Sequence, residues 1–335
     1  MIHRRLLSGL GLAAVLALAA CGQKSDQSSA TPKELNFSIL SAENEQSMSR
    51  YWQPVLDDMS AQIGVKVKPF YATNYTALVE AMRFKQVQAG WFSAEPALSA
   101  VERANAEVVA RIVDPGGEAT YESVLIARKG SGITLDSVLK CGRKYSFGIG
   151  DPQSTSGTLA PLNYVFEPHN IDPTDCFKSV RSASHQANFF AVANGVLDVA
   201  TNNTVGVLFS HRENPKLADK VEVIWTSPPL PESSIVVRKD LDPALKEKIR
   251  QFFLTFGTGT GPQADKQRAW LQRLAYGGFR PADDSYLDPI REMKAAQALA
   301  EARKSGDKAK IAAAQAQYDK VRALAAQRRA VNPDV

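Results

Sequence analysis

Three consecutive hydroxyl side chains, Ser154, Thr155 and Ser156, are the residues of this sequence best placed to do chemistry. They follow an apolar run, 145–149, that reads as a short buried strand, and a turn, Gly150-Asp151-Pro152. Gly157 and an apolar segment come next and read as the start of a helix. A helix N-terminus carries unpaired N–H groups and the positive end of the helix dipole, which together favour an anion. Hydroxyls at that point can donate to the oxygens of a tetrahedral oxyanion. The same side chains also serve as plain helix caps, because Ser and Thr accept the orphan N–H groups of a first turn.

Catalytic patterns are missing around them. There is no HExxH, CxxC or GxSxG, and His3, His169, His185 and His211 have no metal-ligand spacing. Gly257-Thr258-Gly259-Thr260-Gly261-Pro262 begins like a dinucleotide fingerprint, but Pro262 stands where the third glycine belongs. No lysine follows the glycines of 148–157 at P-loop spacing. A Ser154/His185 nucleophile pair lacks an orienting acid and an oxyanion hole. No catalytic residue, metal or cofactor is assigned, and the chain reads as a binder rather than an enzyme.

The elements that must position these hydroxyls alternate strand and helix, an α/β pattern. Strands are expected at 35–40, 65–71, 89–92 and 108–113, with helices at 48–63, 75–83 and 96–105 between them. Pro115-Gly116-Gly117 breaks the chain, and the strand at 121–128 crosses into a second lobe. There strands at 145–149, 177–180, 198–201 and 221–225 alternate with helices at 158–166 and 185–194. The proline-bearing segment 226–232 reads as the return crossing, followed by a strand at 235–238 and helices at 243–256 and 270–276. From about residue 290 the composition turns to Ala, Lys, Gln and Glu, and Ser305-Gly306-Asp307 splits it into a helical hairpin. That hairpin either packs on the body or joins two chains in a homodimer. Tyr75, Ser154–Ser156, His185 and Asn202-Asn203-Thr204 all fall where strands end, and ligands of open α/β sheets bind there. Two lobes joined by two crossings form a cleft that can close on a small solute.

With 335 residues, 44% hydrophobic and 22% charged, the chain has the size for two ordinary domains. A net charge of +5, with no basic stripe carrying interleaved aromatics, gives no case for nucleic acid. Arg4-Arg5, an apolar run at 6–17 and Leu18-Ala19-Ala20-Cys21 read as a secretory signal. The last four residues resemble a bacterial lipobox, which implies cleavage before Cys21 and lipidation of that cysteine. A polar tether, 22–29, follows. The mature chain is thus expected in the periplasm, lipid-anchored to a bacterial membrane. In that oxidising compartment Cys141 and Cys176 are expected to pair, since each precedes a strand-like run and parallel neighbouring strands would bring their starts together. Such a bridge stabilises by roughly 3–4 kcal/mol in the chain-entropy account. Two separate buried thiols are the alternative.

Longer stretches carry a family resemblance. Residues 71–84 with Trp91-Phe92, the loop 150–157, Ser184-His185-Gln186-Ala187-Asn188, the run 198–204, Ile224-Trp225-Thr226-Ser227-Pro228 and Arg238-Lys239-Asp240-Leu241 resemble, in order, the PhnD family. These are phosphonate-, phosphite- or phosphate-binding proteins of ABC importers with a type II periplasmic-binding fold. The resemblance spans about residues 35–291. It implies that Ser154, Thr155 and Ser156 hold the phosphonyl oxygens, and that Tyr75, Tyr121 and His185 donate to them. It also implies an inner-membrane ABC permease as partner. Aminoethylphosphonate binders of this family place acids after the Asn-Asn-Thr motif and in the return crossing. Val205 and Ser233 stand there here, with Glu232 beside the second. The expected ligand is therefore phosphite, methylphosphonate or phosphate, with 2-aminoethylphosphonate disfavoured. The division so implied is a signal at 1–20, a tether at 21–33, a first lobe from 34–120 and 231–286, a second lobe at 121–230, and the hairpin at 287–335. A sensor or scaffold lipoprotein presenting its ligand through the hairpin, and a hydrolase on the same cleft, are the alternative functions.

Overall fold

The computed structural model describes residues 33–40, 45–72 and 74–331; the leader, Cys21 and nearly all of the tether lie outside these. Apolar residues at helical and strand spacing build the first lobe from β1 (Glu34–Ile39), α1 (Glu45–Ile63), β2 (Lys66–Tyr71), α2 (Tyr75–Arg83), β3 (Ala89–Phe92), α3 (Ala94–Arg103) and β4 (Ala106–Val113). After β5 (Thr120–Tyr121), the second lobe runs through β6 (Ser123–Arg128), α4 (Leu135–Leu139), β7 (Ser146–Ile149), α5 (Pro173–Cys176), β8 (Ser179–Ser182), α6 (His185–Ala193), β9 (Val199–Asn203), α7 (Thr204–Glu213), α8 (Pro215–Ala218) and β10 (Val221–Thr226). Then β11 (Leu230–Pro231) and β12 (Ser234–Arg238) return the chain to the first sheet. There α9 (Pro243–Thr255), α10 (Pro262–Arg273) and β13 (Gly278–Pro281) complete it. The hairpin is α11 (Asp288–Ser305) and α12 (Lys308–Val331).

The first sheet has the order β13-β4-β12-β3-β1-β2, the second β10-β6-β9-β7-β8. Each mixes parallel pairs (β1 with β2 and β3; β7 with β8 and β9) with antiparallel ones at the strands entering from the crossings. Between the sheets β5 and β11 form a two-stranded ribbon in which Tyr121 faces Leu230. This is the mixed α/β architecture expected. The crossing strand differs from expectation. It is interrupted at Glu122, so β5 belongs to the ribbon and β6 to the second sheet.

Three further differences have local causes. The strand expected at 177–180 begins at Ser179, because Asp172 caps a short helix, α5, with Pro173 in its first turn. The helix expected at 158–166 starts at Thr155 and has two wide π-turn segments, Thr155–Leu159 and Leu162–Phe166, flanking Pro161, which has no N–H to donate. The helix expected at 270–276 is the end of α10, whose start is set by Pro262 after Gly261. Cys141 and Cys176 are joined as a disulfide, Cα to Cα 4.5 Å. They lie just before β7 and β8, which pair in parallel with Ser146 opposite Ser179. Beside them Phe147 stacks on Phe177 at 4.3 Å, and Phe166 meets both edge-on in the core of the second lobe.

Candidate functional site

The hydroxyl loop leaves the end of β7 and folds back on its own backbone, with Gly150 N–H donating to Gly157 O at 2.8 Å. A Cβ on Gly150 would lie 2.6 Å from Gly157 Cα, and one on Gly157 would lie 2.8 Å from Ser154 Oγ and 3.1 Å from His185 Cε1. Only a glycine pair permits that approach. The loop is fixed from behind by Ser123 Oγ, which donates to Ser156 O, and Thr201 Oγ1, which donates to Gly157 O.

Each hydroxyl oxygen in the loop accepts from a protein N–H. Ser154 Oγ takes the N–H of Gly157 at 2.9 Å, Thr155 Oγ1 that of Glu95 at 2.8 Å, and Ser156 Oγ the Asn203 amide at 3.3 Å. Their hydroxyl hydrogens are left to donate. His185, at the start of α6, puts Nε2 3.4 Å from both Ser154 Oγ and Ser156 Oγ. Burial pulls its pKa down to about 4, so the ring is neutral at pH 7.

Ser154, Ser156, His185 and Asn203 line one wall of a cavity, with Tyr75, Trp52, Trp91 and Ser93 of the first lobe opposite. Tyr121 joins from the crossing strand, Glu232 and Ser233 from the return. The Tyr121 phenol has the Ser156 and Thr155 hydroxyls as hydrogen-bonding neighbours, and burial pushes its pKa well above the ordinary tyrosine value. About 50 Å³ of the cavity is open to the centres of water-sized spheres. That is room for a few waters or for one small oxyanion with a short substituent. No Lys or Arg is among the described lining residues.

Five of the six expected contacts, Tyr75, Tyr121, Ser154, Ser156 and His185, thus meet at one cavity. Thr155 is placed otherwise. It is fully buried and off the cavity wall, and its oxygen takes the N–H of Glu95 from the first lobe. Tyr75 N–H makes a second bond across the cleft, to Asp151 Oδ2 at 3.1 Å. At the rim Tyr51 stacks on Phe209 at 5.5 Å and its hydroxyl donates to Glu213. The lobes are therefore in contact around the cavity. Ser93 and Trp52 were missed by sequence reasoning, while Glu232 was noted beside Ser233 and Trp91 within the family resemblance without a place in the cavity. Ser93 has a signal, a small hydroxyl directly before a helix, whereas nothing in the local sequence distinguishes Trp52 from a core residue.

A family model for the periplasmic substrate-binding protein of phosphonate ABC transporters matches residues 37–287. The chain belongs to that phosphonate-binding family. It is 41% identical over 262 residues to the phosphonates-binding periplasmic protein of Escherichia coli K12, covering 78% of this chain and 76% of that one. The crystal structure of a binding-protein component of an ABC phosphonate transporter from Pseudomonas aeruginosa superposes with a TM-score of 0.83. It has 36% identity and covers 88% of this chain and 99% of that chain. PhnD1 from Prochlorococcus marinus, solved with methylphosphonate, shares the fold at TM-score 0.70 and 20% identity, over 78% and 97% of the two chains. As a member of the family, the protein is the periplasmic substrate-binding component of a phosphonate or phosphate ABC importer, with the type II periplasmic-binding fold. Family membership places a transport component ahead of the sensor and hydrolase readings.

Proposed function

We propose that the cleft captures phosphite, methylphosphonate or phosphate by lobe closure, with Tyr75, Tyr121, Ser154, Ser156 and His185 as the ligand contacts. The observation that carries this reading is the hydroxyl loop itself: both cavity-lining serines accept from protein N–H groups, which leaves their hydroxyl hydrogens available to donate, to a bound anion or to His185 Nε2. Charge-assisted bonds to an anion made only when the lobes meet shift the open–closed population toward closure. That PhnD1 holds methylphosphonate supports the ligand class. Val205 and Ser233 line the cavity where aminoethylphosphonate binders carry acids, so Glu232 is the one carboxyl among its described lining residues and an ammonium tail would have no second acidic partner there.

The small residues before Cys21 support an exported lipoprotein anchored by that cysteine, handing its ligand to an inner-membrane permease. Sedimentation of the full chain separates a homodimer through the hairpin from a monomer. A calorimetric series of phosphite, methylphosphonate, phosphate, 2-aminoethylphosphonate and sulfate tests the ligand class. The small phosphorus anions should bind most tightly. Tight aminoethylphosphonate binding with none of the small anions would overturn it.

A further inference from the structure

Among its described lining residues the cavity has one carboxyl group and no Lys or Arg. Glu232 is buried, sits between β11 and β12, and lines the cavity wall. Its Oε1 accepts the Ser233 N–H at 2.7 Å, and the Ser233 hydroxyl is a further hydrogen-bonding neighbour of the carboxyl. Tyr121, Tyr276, Tyr286 and Asp114 lie within electrostatic reach of it. His185, on the same cavity, is neutral. The Arg111 guanidinium is stacked over the Tyr286 ring at 5.5 Å and does not line the cavity. The sequence at 41–44 and 73, outside the described residues, contains no Lys or Arg either. A phosphorus dianion entering this space would add two negative charges to a desolvated carboxylate, which burial opposes strongly.

We propose that Glu232 shares one proton with the bound oxyanion, so that the cleft selects protonatable phosphorus oxyanions against permanently ionised ones such as sulfate and sulfonates. The inference rests on the phosphorus-oxyanion reading of the same cleft. The proton balance is simple. A dianion in solution and an ionised Glu232 enter the complex with one proton taken from the buffer. That proton lies between a ligand oxygen and a carboxyl oxygen, and repulsion becomes a charge-assisted hydrogen bond. A ligand that arrives as a monoanion brings the proton with it. A sulfonate brings none, so Glu232 itself has to be protonated from solvent. Burial raises the pKa of its carboxyl, which assists the sharing.

Calorimetry of methylphosphonate with the wild-type protein above the ligand's second pKa, in buffers of different ionisation enthalpy, tests this. Uptake of about one proton per bound ligand is expected, and methanesulfonate should bind at least a hundredfold more weakly. In Glu232→Gln, which keeps the acceptor for Ser233 N–H, the uptake should vanish and methanesulfonate should gain at least tenfold. Buffer-independent heats in the wild type overturn the proposal. So does uptake that persists in Glu232→Gln, which would assign the proton to His185. Wild-type binding of 2-aminoethylphosphonate tighter than methylphosphonate, lost in Glu232→Gln, would show that the carboxylate serves an ammonium instead. Failure of methylphosphonate, phosphite and phosphate all to bind the wild type would overturn the underlying reading of the cleft. Should the variant not fold, the wild-type proton count and the sulfonate comparison still decide.

Discussion

Ser156 joins three requirements in one side chain. Its oxygen accepts from Asn203, it neighbours His185 and Tyr121, and it lines the cavity. Ser156→Ala should weaken methylphosphonate binding by roughly 1–3 kcal/mol, the worth of a charge-assisted hydrogen bond together with an Asn203 amide left unpaired. Titration calorimetry reads this directly, and an unchanged affinity would remove Ser156 from the site. His185 makes a separate prediction, about acid. Its folded pKa of about 4 lies below the unfolded value near 6.5, so between those values the unfolded chain binds more protons. Stability is therefore lost as pH falls through this window, by roughly 3 kcal/mol in total from this one ring. Denaturant midpoints of wild type and His185→Gln should converge in pH dependence above 7 and separate below 6, with the variant losing less. Parallel curves down to pH 4 would show that the imidazole is not held neutral.

At the scale of elements, the helix N-termini at the ends of the strands decide the geometry. The first-turn N–H of α3 at Glu95 finds its acceptor in Thr155, on the opposite lobe. Thr155→Val keeps the volume and removes an acceptor that the Glu95 N–H of the opposite lobe reaches in the closed form. Closure should lose about 1 kcal/mol, raising Kd roughly fivefold. Distance measurements between labels on the two lobes should show a smaller closed fraction. An unaltered closed fraction would mean that the bond has no part in closure. Much of this layer was readable from residue order. The ends of α2 and β3, the hairpin break at Gly306 and the cysteine pair follow from apolar spacing, the Ser305-Gly306-Asp307 punctuation and the parallel alternation. What was not readable depends on contacts distant in sequence. No local signal says that Thr155 serves a lobe 60 residues upstream. Nor does one say that a proline-containing return crossing would turn Glu232, rather than Ser233 alone, toward the cavity. The break at Glu122 is set by two different partner strands, β11 and β9, not by residue type.

Across the whole molecule, α11 touches both lobes from behind the hydroxyl loop. Ile290 and Met293 share the large core cluster with Leu159 and Ala160, which follow the loop directly. Lys294 reaches Glu95 at 2.7 Å in the first lobe, and Lys304 reaches Glu167 at 2.9 Å in the second. The two ion pairs differ in burial, and that decides their weight. Lys304 and Glu167 are 44% and 35% exposed, so Lys304→Ala should change stability by about 0.5 kcal/mol or less. Glu95 is only 7% exposed, and its second carboxyl oxygen has no partner among the described residues. Burial raises its pKa in spite of the lysine. A group whose folded pKa is raised stabilises fully below its unfolded value, near 4.5, and loses that contribution as pH rises through the folded value. Lys294→Met takes away the cation that limits the shift. The loss should be about 1–3 kcal/mol at pH 7, below the full value of a wholly buried pair because Lys294 is 39% exposed, and it should fade toward pH 4.5. The acid limb from His185 is common to wild type and variant and cancels in their difference. Urea unfolding of both proteins between pH 4.5 and 8 measures that difference. A loss of equal size at every pH would assign Lys294 to packing of the hairpin rather than to the charge of Glu95.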